Sequence, residues 1–156
     1  MRPFLFRPAV LLLLFLVFGC GMGPSGPEAE LTELKTGKTV NLKDFKGKVV
    51  VVDFWATWCS PCIDTMPNIQ KLYNEFVDQG VVFLGVSNEE KSVVKKFEAN
   101  SEFSYPVYLD EMGQAWERFG ISEIPRVVVI GKDGAIRYKG HPGDYDKVRS
   151  EIKAAF

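Results

Sequence analysis

Val49-Val50-Val51-Val52-Asp53-Phe54-Trp55-Ala56-Thr57-Trp58-Cys59-Ser60-Pro61-Cys62 is the stretch on which the reading of the chain turns. Four successive valines place apolar, β-branched side chains on both faces, as in a strand covered from both sides. Beyond Pro61, Ile63, Met66, Ile69, Leu72, Tyr73, Phe76 and Val77 recur at helical spacing until Gly80, so a buried strand runs into a helix. Pro67 lies inside that helix and is expected to kink it. Cys59 and Cys62 stand at the junction, where N–H groups without intrahelical partners and the positive end of the helix dipole favour a thiolate at Cys59. Lowering a thiol from about 8.5 to about 7 takes roughly 2 kcal/mol. A helix terminus supplies about 0.3 to 1 kcal/mol of this, so direct N–H contacts have to supply the rest. Pro61 has no N–H to lose and is tolerated in the first turn.

Other readings of the pair are weaker. A zinc site needs two further ligands, and only His141 and the remote Cys20 remain. Covalent haem attachment needs His after the second cysteine, where Ile63 stands. A purely structural bridge between residues this close restrains the unfolded chain little. Redox exchange is the reading that remains, with no metal and no cofactor expected.

Asp53 is a carboxylate in an apolar strand, six positions before Cys59. Burial penalises its charged form and turns it into a proton acceptor near neutral pH; the alternative is an acid at a strand end that turns to water. Trp58, beside Cys59, is expected to shield one side of it. Trp55 and Trp116 read as packing residues, and His141 as a loop residue.

Outward from this centre, Leu31–Leu34 and Thr39–Leu42 flank a turn at Thr36-Gly37 and predict an N-terminal β-hairpin. Val81–Val86 reads as a second buried strand, followed by an N-cap at Ser87-Asn88 and a helix near Glu89–Ala99. Tyr105–Leu109 predicts a strand and Glu111–Phe119 a helix. Arg126–Ile130 and Ala135–Lys139 predict strands joined through Asp133-Gly134, and Tyr145–Phe156 a last helix. The order β-α-β-α-β-α-β-β-α specifies an α/β fold of three layers, a mixed central sheet with helices on both faces. The 156 residues, 46% hydrophobic and 25% charged, suffice for one domain and exclude a disordered chain or a polytopic membrane protein. A net charge of −1 without a basic cluster argues against nucleic acid.

Arg2 and Arg7 precede an apolar run, Ala9–Phe18, that is too short to span a bilayer and ends at Gly19-Cys20. Residues 1–19 therefore read as an export signal. Val17-Phe18-Gly19-Cys20 resembles the lipobox of bacterial lipoproteins, which implies acylation of Cys20. Phe18 stands where that family has a small residue, so cleavage near Gly21-Met22-Gly23 is the alternative. That alternative would discard Cys20; with acylation, residues 20–30 are a lipidated cysteine and a Gly/Pro-rich tether, about 33 Å long at full stretch, and residues 31–156 the folded domain. The expected location is the bacterial cell envelope, facing the periplasm or the outer side of the membrane.

Val52–Cys62 resembles the active-site signature of the thioredoxin superfamily, Pro67 matches that family's helix proline, and Gly120-Ile121-Ser122-Glu123-Ile124-Pro125 resembles its cis-proline segment. The export signal, the early hairpin and the added strand-helix unit at residues 81–100 are similar to the membrane-anchored TlpA/ResA-type thiol-disulfide oxidoreductases. The resemblance implies a thioredoxin-like fold and a catalytic set of Cys59, Cys62 and Asp53. It also implies a cis bond before Pro125 and a substrate groove at Trp58, Ile124 and Pro125. Two departures stand out: the subfamily often has Asn at the position of Asp53 and Glu at that of Thr65. Arg126 replaces its usual Thr.

From these residues Cys59 is expected to attack a disulfide of an exported protein and Cys62 to resolve the mixed disulfide, losing its proton to Asp53. A membrane thiol carrier would re-reduce the enzyme, which is expected to be monomeric. Cytochrome c maturation and general envelope disulfide reduction both remain open. The competing functions are a thiol peroxidase and a non-catalytic client-binding module.

Overall fold

From residue 28 onward, the part the computed structural model describes, the chain builds β1 (Glu30–Glu33), β2 (Thr39–Asn41), β3 (Val50–Phe54), α1 (Ser60–Phe76), β4 (Val82–Ser87), α2 (Lys91–Glu98), β5 (Val107–Leu109), α3 (Gln114–Arg118), β6 (Arg126–Ile130), β7 (Ile136–Gly140) and α4 (Tyr145–Ala154). The export signal, Cys20 and most of the expected tether lie outside the described residues. Among the described residues no helix is long and apolar enough to cross a membrane.

One seven-stranded sheet has the order β2-β1-β5-β4-β3-β6-β7. β3 is parallel to β4 and antiparallel to β6, and β4 is parallel to β5. The sheet is thus mixed, and its central strand, β3, is buried along its whole length. That is the environment the valine run requires.

The period of two along β3 divides the core. Val50, Val52 and Phe54 pack with Leu84, Val86, Val128, Ala115 and Phe119 on the face covered by α3. Val49 and Val51 pack on the other face with Ile69, Leu72 and Phe76 of α1 and Val148 and Ile152 of α4. Val94 of α2 extends this second layer near Trp55. Helices therefore cover both faces, and the three-layer α/β arrangement with an N-terminal hairpin is as the sequence requires. Ala29 is buried and its carbonyl accepts the Leu42 N–H, so it packs with the fold although it precedes Leu31.

Some boundaries differ from the sequence expectation. Ser87 and Asn88 do not cap α2. Ser87 closes β4, its hydroxyl bonds the Glu89 N–H at 3.3 Å, and α2 starts at Lys91 after an N-cap, Glu90, that makes no side-chain bond. α3 is five residues long rather than the nine of Glu111–Phe119. Gly113 enters the left-handed region with φ 68° and the buried Asp110 accepts the Trp116 N–H at 3.0 Å, so Asp110–Gly113 is spent on a turn. At the β6–β7 hairpin, Gly134 takes φ 85° and Gly131 donates to the Ala135 carbonyl at 2.9 Å, the turn that Asp133-Gly134 predicts.

Candidate active site

Cys59 is the N-cap of α1 and Pro61 lies in its first turn. The Cys59 Sγ accepts the Cys62 N–H at 3.2 Å, and its carbonyl accepts the N–H groups of Cys62 and Ile63 at 3.0 and 3.2 Å. The sequence placed this sulfur at a helix mouth for such a contact, and the N–H donor is there. The two cysteines form a disulfide with an S–S distance of 2.06 Å and a Cα–Cα distance of 5.3 Å. α1 continues through Pro67 to Phe76 as one helix.

Both cysteines are buried, in a cluster with Trp55, Ala56, Met66, Val94, Val107 and Leu109. Trp55 is thus a packing residue, fully enclosed. Trp58 is different: it is 72% exposed and stands in solvent beside Cys59 in the chain, while Trp55 and Met66 share the buried cluster of the two cysteines. Ile124 packs partly buried against the same cluster, and the Ile124-Pro125 bond is cis. Arg126, the first residue of β6, pairs with Glu123. Thr65 bonds the Cys62 carbonyl within its own helix at 2.9 Å and brings no carboxylate to the site. His141 sits in the loop after β7, its Nδ1 accepting the Gly143 N–H.

Asp53 lies on β3 between Val51, packed under α1, and Trp55, packed with the cysteines. It is 4% exposed and does not turn to water. Burial pushes its carboxyl up from 3.8 to about 7, opposed by a hydrogen bond that the Tyr105 hydroxyl donates to Oδ2 at 3.3 Å. A carboxyl balanced near neutrality beneath a dithiol helix can accept and return a proton.

Two residues of the site lay outside the sequence reading. The sequence expectation places Tyr105 in a strand; it precedes β5 and is Asp53's partner. Glu89 clamps the loop that leads to Cys59: Thr57 donates its N–H to Oε2 at 2.6 Å and its hydroxyl to Oε1 at 2.8 Å, and Ser87 adds a third bond at 3.2 Å. Beside α1, a groove of about 570 Å³ has Ile63, Met66, Pro67, Phe97 and Phe103 as its apolar lining, with polar residues such as Gln70, Lys71 and Glu102 making up the rest.

The model of the AhpC/TSA family matches residues 22–139. The thiol-disulfide oxidoreductase ResA of Bacillus thuringiensis subsp. konkukian is 35% identical over 116 residues, which cover 74% of this chain and 66% of that protein. The match thus spans just under two thirds of that relative's length. ResA of Geobacillus kaustophilus is 32% identical over 145 residues, covering 84% of this chain and 83% of the relative. Among solved structures, the exposed lipoprotein thioredoxin Etrx1 of Streptococcus pneumoniae superposes with a TM-score of 0.72 at 29% identity, covering 81% of this chain and 98% of that one. A disulfide whose first cysteine caps a helix, in a chain that aligns with these oxidoreductases over most of its fold, closes the question of kinship: the chain belongs to the AhpC/TSA family, among its ResA-type thiol-disulfide oxidoreductases.

Proposed function

We propose that this thiol-disulfide oxidoreductase reduces disulfides of exported proteins at the cell envelope. Cys59, as thiolate, attacks one sulfur of the client disulfide and expels the other as a thiolate. Cys62 gives its proton to Asp53 and attacks Cys59. The second client sulfur leaves and takes a proton, and Cys59–Cys62 becomes the disulfide. Two electrons have then passed to the client, and a membrane dithiol carrier returns them to the enzyme. Trp58, Ile124 and Pro125 form the surface that receives the client strand.

The observation that carries this reading is the placement of the Cys59–Cys62 disulfide at the N-terminus of α1, next along the same sheet face to a buried carboxyl. The sequence of residues 1–20 supports export and acylation of Cys20, and the lipoprotein relative named above is consistent with both. The test is reduction of a model protein disulfide in the presence of a dithiol donor. Cys59→Ala should abolish turnover, and undiminished turnover would reject the mechanism. A redox titration of the domain with thiol trapping then fixes the direction, since a midpoint above that of the client would make the protein an oxidant.

A further inference from the structure

Gly85 sits directly across from Asp53 in the parallel β3–β4 ladder. It is not among the glycines with positive φ, so the backbone there does not demand glycine. Space does. A Cβ on Gly85 would stand 2.8 Å from Cε2 of Tyr105 and 3.3 Å from Nε1 of Trp55, and a glycine inside a strand marks such a close approach. The Tyr105 ring lies over this gap, 2% exposed, stacked on Phe103 with centroids 4.8 Å apart and tilted against Tyr73 at 6.5 Å. Packing alone accounts for a ring at this place, and phenylalanine would fill it. The hydroxyl needs a separate reason, because a buried O–H without a partner is costly. Its partner is Oδ2 of Asp53.

We propose that Tyr105 is a positioning residue for proton transfer at Asp53: its hydroxyl, admitted over β4 by the missing side chain of Gly85, fixes the carboxyl and favours its ionised form. The inference rests on the part given to Asp53 above. Burial keeps the tyrosine itself well above its ordinary 10, so its hydroxyl remains a donor throughout the working range. The ladder partners of Asp53, Gly85 on β4 and Val127 on β6, are apolar, and burial and the Tyr105 bond are the two influences on its carboxyl. The Cys59–Cys62 disulfide carries no charge, and Tyr73 of α1 packs against the Tyr105 ring. Without the hydrogen bond only desolvation acts on Asp53, which would then hold its proton to higher pH.

The experiment is a carbon-13 NMR titration of the Asp53 carboxyl in the oxidised protein, for wild type, Tyr105→Phe and Gly85→Ala. Tyr105→Phe removes the donor with the ring kept, and Gly85→Ala displaces the ring with the hydroxyl kept. Both are expected to raise the midpoint by about half to one unit, and the double variant should go no higher than Tyr105→Phe alone. The acid limb of the pH profile for disulfide reduction should move by the same increment. A midpoint unmoved in Tyr105→Phe overturns the inference; if that variant does not fold, an unmoved midpoint in Gly85→Ala does so. Asp53→Asn separates the two claims. If it leaves the acid limb in place, the role of Asp53 in exchange falls, while the NMR shift still reports the bond to Tyr105.

Discussion

Cys59 caps the helix that carries its own partner, its Sγ accepting the Cys62 N–H at 3.2 Å. When the disulfide opens, this donor remains aimed at the Cys59 sulfur, and the helix N-terminus favours negative charge there. The reduced domain should therefore hold Cys59 as a thiolate more readily than free cysteine does. Alkylation by iodoacetamide at pH 6 checks this, with free cysteine as reference. Labelling no faster than the reference would remove the electrostatic basis of the mechanism.

Both sulfurs are buried, but Cys59 caps α1 at its N-terminus while Cys62 lies inside the first turn, so a client should meet Cys59 first. Cys62→Ser is expected to accumulate a mixed disulfide between Cys59 and the client, visible as a mass adduct that a dithiol removes. An adduct forming equally well in Cys59→Ser would reverse the roles of the two sulfurs.

The raised carboxyl of Asp53 also sets a pH dependence of stability. In the unfolded chain it titrates near 3.8, and in the fold near 7. Between those values the folded state binds the extra proton, so stability is fully present below about pH 4 and falls as pH rises through 7. The difference corresponds to roughly 4 kcal/mol at 1.36 kcal/mol per unit. Asp53→Asn should remove this slope, leaving the oxidised protein more stable than wild type at pH 8 by up to a few kcal/mol. Urea unfolding at pH 5 and pH 8 measures it, and parallel pH dependence in the two proteins would contradict the placement of Asp53.

Glu89 ties the loop before Cys59 to the end of β4 through two bonds from Thr57. Hydrogen bonds to a charged acceptor are worth about 1.5 to 3 kcal/mol when partly shielded. Glu89→Ala should accordingly cost about 1 to 3 kcal/mol, and in Thr57→Val, which keeps the N–H bond, the loss should be smaller. Denaturant midpoints of the two variants test the ranking.

The junction of β3 and α1, the hairpins and the helices on both faces were legible because each rests on local periodicity or turn chemistry. Asp53 was legible for a similar reason, as one charge in a run of apolar residues. Tyr105 was not, since its bond to Asp53 joins residues 52 apart and Tyr105–Leu109 reads only as a strand. Two signals were present: a glycine inside the strand Val82–Ser87, and a tyrosine hydroxyl in a stretch otherwise fit for burial. Glu89 was not legible either, because its partner Thr57 is 32 residues away. The length of α3 depends on a buried carboxylate, Asp110, whose position follows from the sheet rather than from its neighbours in the chain.

β1 runs antiparallel to β5, which is parallel to β4 and β3. The chain therefore enters the sheet on the same rim from which β3 leaves it toward Cys59. Three strand spacings separate the two points, about 14 Å across the sheet. An attachment made ahead of residue 28 would hold the molecule by its reactive rim, with the disulfide on the near side. A redox partner held at the same attachment would then find the sulfurs on its own side of the protein.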